Sequence, residues 1–182
     1  MKSREEFVQQ CRDAIARGEG QQGVAELVRR AVSEPAKTLA VLGEPKRAGI
    51  DRLFVSDELT VLNLIWGPYM TLLPHNHNMW AVIGIYTGRE DNIFWRRIEG
   101  EAGGKVKPAG ARALAAKDVD VLGTDAIHSV TNPLTRLTGA LHVYGGEFFA
   151  TPRSEWNPET LLEERFNVER NMRLFEESNR RM

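Results

Sequence analysis

The chain has 182 residues, with 24 Lys and Arg against 25 Asp and Glu, for a formal net charge of −1. That balance supplies no basic field to draw nucleic acid or an acidic membrane surface, so neither is expected as a partner. A lone cysteine, Cys11, excludes an internal disulfide and a cysteine-based zinc cluster.

The amino terminus "MKSREEFVQQCRDAIARGEG" lacks the apolar run of a secretory signal, and no stretch approaches the ~18 apolar residues of a membrane span. The expectation is a cytoplasmic protein, monomeric or homodimeric, with a single domain over 1–182.

Residues 1–47 read as a helical extension. Phe7, Cys11, Ala14 and Ile15 recur at helical spacing, Gly18 and Gly20 interrupt, and Val24, Leu27, Val28, Ala31 and Val32 form a second apolar stripe. Pro35, Pro45 and the "GEPKRAG" turn are expected to close this part.

Over 48–155 the pattern changes to short β-branched and aromatic runs: "RLFVSD", "TVLNLIWG", "MTLLPHNHNMWAVIGIYTG", "NIFWRRIEG", "KDVDVLG", "IHSVTN" and "TGALHVYGGEF". Separated by Gly, Asn and Asp turns, they predict an antiparallel sandwich or barrel. From 156 to 182 a closing helical segment is expected, with Asn157 as cap, Pro158 in the first turn, and an apolar stripe of Val168, Met172 and Phe175.

The chemistry of interest begins at "PHNHNMW". On a strand, successive side chains alternate faces, so His75 and His77 project together as two ligands to one ion would. A helix would make them diverge. His128 follows about fifty residues later in "AIHSVTN", with Asn132 four positions on, and His142 alternates with Tyr144 in "ALHVY". All four histidines therefore fall in the β region, on three strand-like segments.

The HxH on one strand and the H-x-x-x-N on a later one resemble the two motifs of the cupin superfamily. The fold implied is mainly β, a cupin double-stranded β-helix (an antiparallel jelly-roll barrel) with N-terminal helices and a C-terminal helix. Most cupins add a glutamate four or five residues after the second histidine; here those positions are Ala81 and Val82. Loss of that glutamate with retention of three histidines resembles the thiol dioxygenases, the cysteine dioxygenase group. "LNLIWGPYMTLLPHNH", "HSVTN", "ALHVYGGEF" and "GIDRLFV" are each similar to segments of that group.

The resemblance implies Fe(II) on His75, His77 and His128, with a small thiol and O2 as the molecules bound. Three neutral imidazoles leave the ion's charge uncancelled, and a thiolate supplies the missing anion. Tyr144 and His142 are implied to act beside the metal, although Ala140 stands where the family carries a serine. A barrel-wall tyrosine and a satisfied core histidine remain open for these two.

For a substrate carboxylate the resemblance offers two arginines: Arg52, placed as in cysteine dioxygenases, and Arg153, placed as in 3-mercaptopropionate-type members. Two other readings stay open. One is a cupin enzyme acting on a non-thiol substrate, with Glu90 as a fourth ligand, although a position after the Gly88 turn is expected to face solvent. The other is a non-catalytic cupin that senses a small ligand through a metal.

Overall fold

A computed structural model describes residues 1–182. Three helices come first, α1 (Arg4–Ala16), α2 (Gly20–Ser33) and α3 (Pro35–Leu42). The Ser3 hydroxyl caps α1 by accepting from the Glu6 N–H at 3.1 Å. Pro35 opens α3 rather than closing the helical region. At the first helical position its missing N–H has no intrahelical partner to lose.

Eleven strands follow: β1 (Gly49–Val55), β2 (Thr60–Trp66), β3 (Thr71–Asn76), β4 (Ala81–Thr87), β5 (Arg89–Arg97), β6 (Val106–Ala115), β7 (Val119–Leu122), β8 (Ile127–Thr131), β9 (Thr138–Tyr144), β10 (Ser154–Trp156) and β11 (Glu163–Arg165). A last helix, α4, spans Val168–Arg180.

The strand pairing defines the architecture. β2 pairs with β9, β3 with β8, β4 with β7 and β5 with β6, all antiparallel, so the chain is one long hairpin wound back on itself. The result is two facing sheets, ordered β1-β2-β9-β4-β7 and β11-β10-β3-β8-β5-β6. Nested pairing of this kind is the jelly-roll, double-stranded β-helix expected from the motifs.

The first sheet is covered on both faces. Val61, Ile65, Val82, Leu141 and Val143 pack against Val24, Val28 and Val32 of α2, while Leu62, Leu64, Ile83, Ile85 and Ala140 turn into the barrel. Burial on both sides explains why β2, β4 and β9 read as continuous apolar runs rather than alternating ones. Gly84 marks the closest approach of α2 to the sheet: a Cβ there would lie 2.4 Å from a Val28 methyl.

Two elements differ from expectation. "WNPET" does not start a helix: the Asn157 side chain accepts from the Glu159 and Thr160 N–H groups in a local turn, and the chain then pairs as β11 before α4 begins. The cap of α4 is Asn167, which accepts from the Arg170 N–H at 2.8 Å. Strand β6 has no apolar alternation because it is an edge strand with most of its side chains in solvent. That position also tolerates Pro108, which sits beside a bulge of β6 at Ala109.

Helix α4 is fastened across one end of the barrel by Glu155, which is fully buried. Its carboxyl accepts from the Asn167 N–H and the Asn171 side-chain amide, each at 2.8 Å, and is paired with Arg170. Phe175 then stacks on Trp66 with ring centroids 5.7 Å apart. No helix is long and apolar enough to cross a membrane.

Candidate metal centre

"PHNHN" forms the end of β3 and the turn after it, and the alternation does two jobs. His75 and His77 face into the barrel, while Asn76 and Asn78 face the segment leading into β10. Asn76 Oδ1 accepts from the Ser154 N–H, and Asn78 Nδ2 donates to the Pro152 carbonyl, both at 2.8 Å. The ladder between β3 and β8 shifts register around Pro74 and resumes with His75 directly opposite His128. Two sequence-distant histidines thus become cross-strand neighbours.

The structure brings the three predicted ligands together. One ring nitrogen from each of His75, His77 and His128 lies within 4.8 Å of the others, and all three residues are buried. The Nε2 atoms of His77 and His128 are 3.4 Å apart. Two donors on one ion at roughly 2.1 Å each would sit about 3 to 3.4 Å apart, so the spacing fits a shared metal. No carboxylate joins the cluster.

Two outer nitrogens are already oriented. His75 Nδ1–H donates to the Leu73 carbonyl at 2.8 Å, and His128 Nδ1–H donates to Asn92 Oδ1 at 2.7 Å. Each leaves its Nε2 lone pair for the centre, the usual arrangement of a metal-binding imidazole.

Burial also keeps these rings neutral. Desolvation lowers His75 from the ordinary 6.5 to about 4, opposed by its bond to Leu73 and assisted by the Arg153 charge. His77 and His128 are pushed well below the ordinary value, by burial first and by neighbouring imidazoles second.

A depressed histidine pKa means that the unfolded chain binds more protons below about pH 6.5, so that stability rises with pH in that range. The metal-free protein should therefore be most stable above pH 6.5, with its melting temperature falling as the pH drops from there towards 4. Thermal denaturation between pH 7 and 5, above most carboxyl titration, checks this. A flat profile would mean that the rings are not held neutral.

The centre opens into a small cavity of about 50 Å³ with largely apolar walls, among them Leu64, Leu72, Val130, Phe148 and Phe166. Val168, Met172 and Phe175 of α4 also line it. Of the expected stripe on α4, Phe175 is buried, while Val168 and Met172 keep much of their surface in solvent.

His142 and Tyr144 share the inward face of β9 and reach the same cavity, with Tyr144 Oη 3.0 Å from His142 Nδ1. The Tyr144 ring meets the His77 ring edge-on at 5.0 Å, and burial pushes its phenol above the usual value.

The two candidate arginines part company. Arg153 is 9% exposed and lines the cavity, with its guanidinium 3.8 Å from the Phe148 ring centroid and 4.3 Å from that of Phe166. Its Nη1 is buried without a hydrogen-bond partner. Burial draws its pKa down to about 10, which leaves it a cation at neutral pH. Arg52 is exposed, stacks on Phe149 at 3.7 Å, and is not among the residues lining the cavity.

Glu90 does not face solvent as its place after the Gly88 turn suggested; it is fully buried. Nor does it join the three histidines. Its Oε2 accepts from Trp66 Nε1 at 2.8 Å, and its Oε1 accepts from Asn92 Nδ2 at 3.0 Å. Along β5, Glu90, Asn92 and Phe94 share one face, opposite Ile93, which is 43% exposed. The polar face is therefore the inner one.

Asn132, by contrast, belongs to the scaffold. Its amide donates to the carbonyls of Gly67 and Arg136 and its oxygen accepts from the Leu134 N–H, tying the β8–β9 connection to the end of β2.

No family model matches the chain. Among solved structures, it is similar to an RmlC-like cupin family protein with a double-stranded β-helix fold from Methanocaldococcus jannaschii, at 10% identity and a TM-score of 0.46, covering 58% of this chain and 85% of that one. It is similar also to the DMSP lyase DddQ from Ruegeria pomeroyi DSS-3, at 20% identity and a TM-score of 0.46, covering 62% of this chain and 53% of that one. A recombinant oxalate oxidase in complex with glycolate matches at 13% identity and a TM-score of 0.42 over 57% of this chain and 53% of that one. The chain thus covers about half of the lyase and of the oxidase. These are likenesses of fold alone; the strand pairing itself makes this chain a cupin-type double-stranded β-helix with a buried three-histidine cluster at its centre.

Proposed function

We propose that this protein is a non-haem Fe(II) thiol dioxygenase that converts a small thiol bearing a carboxylate to its sulfinate. The observation that carries the reading is the donor set: three buried neutral imidazoles, no carboxylate among them, and a cavity whose one buried cation is Arg153. A divalent ion held this way retains its full charge and favours an anionic guest, which a thiolate satisfies with a soft donor. When bound, iron(II) would lower the thiol pKa and supply the redox chemistry that joins both atoms of O2 to sulfur.

The chain's own residues supply position. His75, His77 and His128 would hold the ion from one side of the cavity, and Arg153, stacked on Phe148 and Phe166, would offer its unpaired Nη1 to a carboxylate. Arg153 rather than Arg52 is proposed for that role because only Arg153 reaches the cavity. Tyr144 and His142 form a hydrogen-bonded pair at its wall, placed to donate to or accept from a group on the guest. Apolar walls keep bulk water from these contacts and strengthen them.

The buried carboxyl groups Glu90 and Glu155 accept hydrogen bonds through both oxygens from the scaffold. Neither lines the cavity, and no other carboxyl group does, so a substrate ammonium would find no anionic partner there and a thiol acid without an amino group suits the site better than cysteine does.

Oxygen consumption by the iron-loaded protein across a short panel of thiols tests the proposal. The expected result is one O2 taken up per thiol consumed, with 3-mercaptopropionate preferred to L-cysteine by at least about tenfold in kcat/KM, the scale of one charged hydrogen bond. Absence of uptake with every thiol would instead favour a cupin acting on another substrate or a ligand-sensing one.

A further inference from the structure

Ala140 removes the serine hydroxyl that the family resemblance places beside His142, yet the histidine does not face an apolar wall. Its Nε2 is buried without a hydrogen-bond partner and points towards Glu90, with 3.4 Å between Nε2 and Oε2. The other oxygen of Glu90 holds Asn92, and Asn92 in turn holds His128. One carboxyl group therefore stands between the His142–Tyr144 pair and a candidate metal ligand.

We infer that Glu90 is a positioning residue that fixes which ring nitrogen carries the proton on two histidines, His142 directly and His128 through Asn92. The logic is one of donors and acceptors. A carboxylate only accepts, so the Asn92 side chain must turn its NH2 to Glu90 and its oxygen to His128. That oxygen requires a proton on His128 Nδ1, which leaves the Nε2 lone pair facing the centre. On the other branch, a lone pair on His142 Nε2 would oppose the Glu90 oxygen, so the proton resides there and Nδ1 accepts from the Tyr144 hydroxyl. The Trp66 indole N–H, which can only donate, pins the Oε2 end of the carboxyl and prevents it from rotating away.

The substitution Glu90→Gln separates these branches. Trp66 cannot turn round, so the glutamine oxygen should remain at the Trp66 end and its NH2 should face Asn92. Two NH2 groups then oppose each other and Asn92 flips. Its NH2 meets His128 Nδ1, and the His128 proton moves to Nε2, where it blocks the metal-facing lone pair. His142, still facing an oxygen, keeps its proton on Nε2.

Ring-nitrogen NMR of the metal-free protein at neutral pH reads both tautomers. The expected result is Nδ1–H on His128 and Nε2–H on His142 in the wild type, with His128 alone switched in Glu90→Gln. Co(II) titration gives a second readout: a loss of affinity of about tenfold or more in Glu90→Gln and in Asn92→Ala, the range of ligand-orienting partners. The double variant should lose little beyond either single one, because both cut the same chain.

A wild-type His128 protonated on Nε2, a wild-type His142 protonated on Nδ1, or additive losses in the double variant would overturn the inference. The affinity arm rests on the reading of the three histidines as a metal centre, but the NMR arm does not. Failure of the wild type to bind Co(II) would sink that reading and leave the relay to be decided by the tautomers. If Glu90→Gln does not fold, the wild-type spectrum can still overturn the inference, and Asn92→Ala still tests the His128 branch.

Discussion

Replacing His128 by alanine should lower iron affinity by more than about a hundredfold, beyond the 10–100-fold typical of losing an orienting partner, while leaving the barrel folded. His128 sits opposite His75 in the β3–β8 ladder, and its Nε2 is 3.4 Å from that of His77. Removing it takes away a donor that no other buried side chain of this cluster can replace. The change also leaves Asn92 Oδ1 without its donor and opens a small void beside Phe94, whose ring stacks on His128 at 6.5 Å. An orphaned buried acceptor costs about 1–3 kcal/mol, which lowers the melting temperature without unfolding a domain of ordinary stability.

Metal content after purification without chelator, and the rise in melting temperature on adding Fe(II) anaerobically, measure the effect. The wild type should gain stability by mass action, and the variant should gain none at the same concentration. Full iron content in His128→Ala would remove His128 from the ligand set.

How much of this was legible in the chain depends on what each residue's signal contains. The ligands were legible because the period of a strand is two, so "HNH" fixes a shared face without knowledge of the partner strand. His128 joined them only through the motif resemblance, since cross-strand register depends on the bulge around Pro74 and on pairing across more than fifty residues. The apolar runs of β2, β4 and β9 were legible as strands, but their burial on both faces depends on α2, whose docking the sequence does not specify. β6 was invisible because an edge strand with solvated side chains carries no alternation.

Asn157 misled for a physical reason. An Asx turn and a helix cap use the same side-chain oxygen and the same two or three N–H groups, and only the demand of β10 for a pairing partner decides between them. Glu90 was misjudged because surface is the common fate of a glutamate near a turn. Its burial depends on donors from Trp66 and Asn92, neither of which can be assigned to it from sequence.

Arg153→Met should raise KM for a thiol acid by roughly 10- to 100-fold while leaving the protein as stable as before or slightly more so. The two effects together distinguish a ligand-binding arginine from a structural one. A charge-assisted hydrogen bond contributes about 1.5–3 kcal/mol, which sets the loss in binding. A structural arginine would bring the opposite sign in stability, because its removal would orphan the groups it holds. Here no salt bridge or hydrogen bond engages the Arg153 guanidinium; its contacts are the faces of Phe148 and Phe166, which an unbranched thioether can cover. In the ligand-free protein the buried cation is thus a liability that a guest carboxylate relieves.

The segment that presents Arg153 is held by Asn76 and Asn78, the residues interleaved with His75 and His77, so the proposed anion site and the three-histidine cluster are fixed to one another through a single turn. Steady-state kinetics should therefore show the KM defect only for thiols that carry a carboxylate, with a neutral thiol such as 2-mercaptoethanol nearly unaffected. Arg52→Ala, at an exposed position over Phe149, should leave both substrates unchanged. If the Arg52 variant carried the defect and the Arg153 variant did not, the carboxylate would have to enter from the β1 side of the barrel, and Arg153 would lose its proposed role.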